Sequence, residues 1–167
     1  MSKNKKPRKA YRPHQVSMDT LNLAIYQAAK PARKDRAQVL DMLATSIRAL
    51  CTGVASELDW SIAAGSLSLA LAIERQGVVR GLSEHLSSIE EMLQAIYDRS
   101  RLPAMWLRPV MTIQEIDAMR LLLELHTFQV EQLSRSEFLA AVDAAQKDTI
   151  AKGHTVAVVR DLERMAA

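Results

Sequence analysis

The sequence predicts an all-α fold: a single helical bundle of about six or seven helices behind a disordered, basic N-terminal arm. Three observations carry that prediction. Apolar residues recur at spacings of three and four through segment after segment. Hydrophobic content is 49% but aromatic content only 4%, so an ample core must be built from Leu, Ile, Val, Ala and Met. Five glycines and five prolines are few, and most sit where segments break, which favours long regular elements. A chain of 167 residues fits one domain, 17–167, plus an arm, 1–16.

The arm, MSKNKKPRKAYRPHQV, has no apolar periodicity and contains Pro7 and Pro13, so it is read as disordered and extended. Ser17 caps a first helix over about 18–29, expected to bury Leu21, Ile25 and Ala28 or Ala29. Pro31 breaks it and opens a second helix over about 32–54, with Leu40, Leu43, Ile47, Leu50 and Val54 on one face and Gly53 near its end. Ser56 and Asp59 form a capping box with Asp in place of Glu, starting a helix over about 57–76 that Gly77 ends. Within it Leu67, Leu69, Leu71 and Ile73 alternate as in a half-buried strand. The flanking alanines and the stripe Leu58, Ile62, Leu69, Ile73 favour helix.

Val79, Leu82, Leu86, Ile89, Leu93 and Ile96 predict a helix over about 79–99. Arg101–Pro109 holds two prolines and is read as a loop anchored by Trp106 and Leu107. Thr112 and Glu115 form a full capping box. The helix they open carries the seam Ile116, Met119, Leu123, His126, Val130, Leu133, and a second stripe of Leu121, Leu122, Leu125 and Phe128 widens its apolar face. Ser134 and Glu137 repeat the box for a helix over about 135–152, with Gly153 suited to the position after it. Residues 155–166 form a last short helix or an extended piece.

Chemistry finds little to stand on. The four histidines, His14, His85, His126 and His154, show no helical ligand spacing, and neither HExxH, ExxH of the di-iron type nor CxxC occurs. A metal would need Glu84 and His85 to meet Glu124 and His126 across two helices. His126 reads instead as a seam residue with one hydrogen-bond partner. Cys51, the single cysteine, implies no disulfide and sits on a helix seam, where an unreactive thiol is expected. Gly-x-Ser-x-Gly, GxGxxG and a phosphate-binding loop are absent, and Glu90 and Glu91 mark a solvated face. The expectation is no enzyme, no metal and no cofactor. No apolar run approaches membrane-spanning length, and a cytoplasmic location in a bacterial host is expected. The segment after Gly77–Gly81 is too acidic for the recognition helix of a helix-turn-helix.

Charge gives the positive signal. Residues 1–36 carry ten Lys or Arg against two acids, a net +8, whereas the other 131 residues carry −5. Lys3, Lys5, Lys6, Arg8, Lys9 and Arg12 crowd the arm, with Tyr11 among them to stack on a base. Lys30, Arg33, Lys34 and Arg36 extend the footprint onto the second helix, where they oppose the macrodipole and so are not there for helix stability. Such an arm binds polyanions through counterion release without reading sequence, although charge runs also serve simply as solubilising tails. The apolar seams suggest a second class of partner, another protein or a second copy.

The segment KNKKPRKAYRP at 3–13 resembles the N-terminus of small uncharacterised proteins of bacteriophages and prophages of Gram-negative bacteria, several of which begin with a comparable KKPRK-x-YRP arm. The resemblance covers only these 11 of the 167 residues. It implies a phage or prophage setting, in which small proteins regulate phage genes, bind nucleic acid or block host machinery, including defence complexes. The expected function is accordingly a non-enzymatic accessory or regulatory protein that binds nucleic acid or a nucleoprotein through its arm. The alternative is a helical adaptor or inhibitor of a protein partner, with the arm incidental.

Overall fold

The computed structural model describes residues 18–103 and 105–152. Among them are six helices: α1 (Met18–Ala28), α2 (Arg33–Cys51), α3 (Glu57–Gln76), α4 (Ser83–Ser100), α5 (Ile113–Gln132) and α6 (Arg135–Ala151). Between α4 and α5 a small antiparallel hairpin pairs β1 (Arg101–Leu102) with β2 (Met105–Trp106). The all-α class is borne out for the described residues, the hairpin aside. Ser17, Gly153 and the segments 1–16 and 155–166 lie outside them.

Helices α2 to α5 make an up-down-up-down bundle. Helix α3 packs on α2 and α4, and α5 packs on the same two from the other side. Short connections impose the antiparallel order on α2–α3 and α3–α4, and long-range contacts bring the ends together. At one end the α2–α3 turn meets the α4–α5 connection: the Trp106 indole N–H donates to the Ala55 carbonyl at 3.1 Å. At the other, Lys30 just before α2 donates to the Glu131 carbonyl near the end of α5, at 2.8 Å. Helix α6 lies across α3, and α1 lies on α6, joined by the Arg135 N–H to the Ala29 carbonyl at 2.8 Å.

The alternation in α3 now has a physical reason. Leu67 and Ala70 enter the bundle core with Leu43, Leu50, Leu86, Leu93 and Met119. Leu69, Ala72 and Ile73 enter a second core with Leu133, Ala141 and Ala145 under α6. A helix that faces two cores is apolar over most of its girth, and that imitates a strand's alternation. Residues 67–73 are helical.

All three capping boxes form, at Ser56–Asp59, Thr112–Glu115 and Ser134–Glu137. Gly77 ends α3 at φ 79°, a left-handed conformation that glycine adopts without strain. Helix α4 starts later than its periodicity suggests. Gly81, at φ 92°, and the Glu74 carboxylate set the boundary: one Glu74 oxygen accepts from the Gly81 N–H, the Leu82 N–H and the Ser83 hydroxyl at 2.8, 3.1 and 3.0 Å. Val79 and Leu82 therefore precede the helix.

Several expectations of burial fail. Among the described residues helix α1 packs chiefly on α6, and Ile25 is 62% exposed, with Ala28 and Ala29 exposed too; the Leu21 side chain lies outside the described residues. Val54 lies beyond the end of α2, past a turn at Gly53 with φ 71°, and is exposed. Leu58, in the first turn of α3, and Phe128 on α5 are exposed as well. Residues 101–109 are not simply a loop, since β1 and β2 pair within them. Trp106 is anchored there as expected, but the Leu107 side chain is exposed and only its N–H is held, by the Ser100 carbonyl.

Candidate functional site

Lys3, Lys5, Lys6, Arg8, Lys9, Tyr11 and Arg12 lie outside the described residues. The four body cations divide. Arg33 and Lys34, the first two residues of α2, are exposed and pair with no described acid. Lys30 is committed to the Glu131 carbonyl, and Arg36 is half-buried with an unpartnered Nε. The neighbouring Arg135 is structural: it sits 4.7 Å from the centre of the Tyr26 ring and 3.8 Å from the Asp35 carboxylate. The folded part of the basic footprint thus reduces to Arg33 and Lys34, with Lys30 half spent on holding α2 to α5.

Metal chemistry gains no support. Among the described residues no three His, Cys, Asp or Glu converge. His85 is exposed on α4, whereas His126 is completely buried in α5. Neither His126 nitrogen has a partner of hydrogen-bond geometry, contrary to the expected single partner. Burial pushes its imidazole down to about 4, opposed only in part by Gln129 one turn on. Gln129, also fully buried, donates its amide to the Ala70 carbonyl of α3 at 3.0 Å. Cys51 is half-buried, and burial pushes its thiol up despite nearby Arg120, the direction that makes a thiol inert.

A shallow groove of about 230 Å³ lies between α4 and α5 beside His85, Met92, Asp117 and Leu121. One exposed histidine and one exposed aspartate do not make a catalytic set. No described helix is long and apolar enough to cross a membrane.

The hairpin end holds a feature that sequence reasoning missed. Trp60, Tyr97 and Trp106 form a triangle with ring centres 4.6, 6.4 and 6.2 Å apart. Trp60 donates its indole N–H to the Leu93 carbonyl at 2.9 Å, as Trp106 does to Ala55. Around this scaffold several large apolar side chains are exposed, interspersed with Glu57, Arg101 and Arg108. Val54 and Leu58 contribute from the α2–α3 turn, Leu102 and Met105 from the hairpin, and Leu107, Val110 and Ile113 from the approach to α5. Val110 is 85% and Ile113 79% exposed. The sequence signal was their position: both stand off the α5 seam, beside a cap that requires neither.

Comparison with protein-family models, with curated proteins and with solved structures finds no match.

Proposed function

We propose that the protein is a non-enzymatic accessory or regulatory protein of phage or prophage type that binds nucleic acid or a nucleoprotein complex through its basic arm. One observation carries the reading: a net +8 in residues 1–36 against −5 in the rest of the chain. Arg33 and Lys34, exposed at the start of α2, continue the arm's charge onto the body. Each neutralised phosphate contributes about −0.9 to the log–log salt slope, so the six arm cations give about −5 on duplex DNA. The test is removal of residues 2–13, with DNA and RNA titrated at two or more salt concentrations. The truncated chain is expected to lose most of its affinity and nearly all of its salt dependence. Unchanged binding, or none by the full chain, ends the proposal.

A second reading is a helical adaptor or inhibitor whose target is a protein of the host, with the arm incidental. It is favoured by the large apolar residues that α1 leaves exposed, Leu23, Ile25 and Tyr26 at 54, 62 and 56%. Copurification from infected or lysogenic cells with the full and the arm-deleted chain separates the two: a protein captured equally by both supports this reading over the first.

A further inference from the structure

We propose that the apolar hairpin end is the contact surface between two copies of this chain, which pair there in a symmetric dimer. The inference is independent of the polyanion reading, since it uses neither the arm nor the basic residues of α2.

Folding does not account for this surface. Ile113 is the first residue of α5, where a helix gains nothing from an exposed isoleucine, and the cap is complete through Thr112 and Glu115 alone. The apolar pair that can staple this entry is Met111 and Ile116, both half-buried, which leaves Val110 and Ile113 outside it. Solvated positions beside a helix start ordinarily carry polar residues, yet these two are the most exposed large hydrophobics among the described residues.

The size fits a second copy. Taken with Met105 and its neighbours, the exposed apolar residues here together expose on the order of 700 Å², close to the roughly 800 Å² per partner of a stable interface. The electrostatics fit as well. A two-fold contact sets each charge against the same surface of its twin, so unpaired charge is penalised. Two of the cations here are closed within the chain: Arg99 is bidentate to Glu115 at 2.6 and 2.7 Å, and Arg101 is paired with Glu57. Arg48, Asp98 and Arg108, exposed at the same end, have no ion pair among the described residues and carry both signs, so neither an acidic nor a basic partner is favoured. A self-complementary apolar face finds what it needs.

The surface is also pre-organised. The Trp60–Tyr97–Trp106 triangle and its two indole hydrogen bonds fix the hairpin to α3 and α4, so little ordering cost remains for association.

Sedimentation of the full chain across a concentration series tests this. The expected particle is about twice the 18.6 kDa chain mass at micromolar concentration. The double variant Val110→Asp/Ile113→Asp is expected to sediment as a monomer with unchanged helical circular dichroism, because both positions are solvated in the single chain. Met105→Lys, on the hairpin, gives a second and separate disruption. Leu23→Asp on α1 is expected to leave the dimer whole, which excludes the other exposed apolar face. A native chain that stays monomeric to about 100 µM overturns the proposal and leaves the surface to a different protein. So does a dimer that survives all the hairpin-end variants, or one that Leu23→Asp dissolves.

Discussion

His126 is a buried imidazole that the fold keeps neutral, and that has a consequence for stability. Its folded value, pushed down to about 4 by burial, lies below the ordinary 6.5, so protons bind the unfolded chain more tightly. The contribution of neutral His126 is therefore complete above about pH 6.5 and is lost progressively as pH falls toward 4. Between pH 7 and 4.5 the loss is about 2–3 kcal/mol. Glu137 is held low by the Ser134 hydrogen bonds, and Glu115, though burial pushes it up, is held low overall by Arg99 and Thr112. These depressed carboxylates contribute stability that is lost below about pH 4.5, so among the described residues the window above it belongs to His126. Urea unfolding at pH 7 and 4.5 should show the native chain losing that amount and His126→Leu losing much less. At pH 7 the variant should lie within about 1 kcal/mol of the native chain, because it also removes two buried nitrogens that have no partner. An undiminished pH dependence in His126→Leu would show that another group is responsible.

The helix starts show what a sequence states plainly and what it leaves out. A capping box is written in four consecutive residues, and all three in this chain form as read. The helical state of α3 was legible too, but its seam only in part: Leu69 and Ile73 of the expected stripe are buried, Leu58 is exposed, and the two-sided burial had to be seen to explain the period-2 run. Glu115 marks the limit. Its reciprocal bond with Thr112 was readable, but its ion pair with Arg99, sixteen residues back, depends on how α4 meets α5. The hairpin, the exposed face of α1 and the apolar end were hidden for the same reason: each is decided by which neighbour is missing, and local spacing does not record that. Of the candidate basic site, the exposure of Arg33 and Lys34 followed from their place at a helix start, whereas the Lys30 contact to Glu131 spans 101 residues. The double role of Glu115 makes a graded prediction. Thr112→Ala should cost about 1 kcal/mol, the ordinary worth of a cap. Glu115→Gln should cost about 2 kcal/mol, because it also strips Arg99 of its charged partner. Thermal unfolding would show the second variant several degrees below the first, and equal losses would mean that the Arg99 pair contributes nothing.

Across the whole molecule the two notable surfaces sit at opposite ends of the bundle. Helix α2 begins with Arg33 and Lys34 and finishes beside the hairpin end, so its 19 residues separate them by roughly 28 Å. Two copies joined at their hairpin ends would then carry Arg33 and Lys34 at the two far ends of one particle. Salt dependence gives this arrangement a numerical signature. One engaged arm contributes a log–log slope of about −5, and a dimer that lays both arms on one duplex approaches about −10. A duplex of about thirty base pairs, near 100 Å, is long enough to run past both ends at 3.4 Å per base pair. On that duplex the native chain should show the steeper slope, and Val110→Asp/Ile113→Asp, with the arm untouched, should fall back to about half of it. Affinity should drop with it, since the second arm then binds from solution instead of from a tethered neighbour. If the arm alone holds the polyanion, the variant's residual binding must still vanish on removal of residues 2–13. A native slope near −5 while the dimer is intact would mean that only one arm reaches the duplex, and the two-armed arrangement would be wrong even with both surfaces correctly assigned.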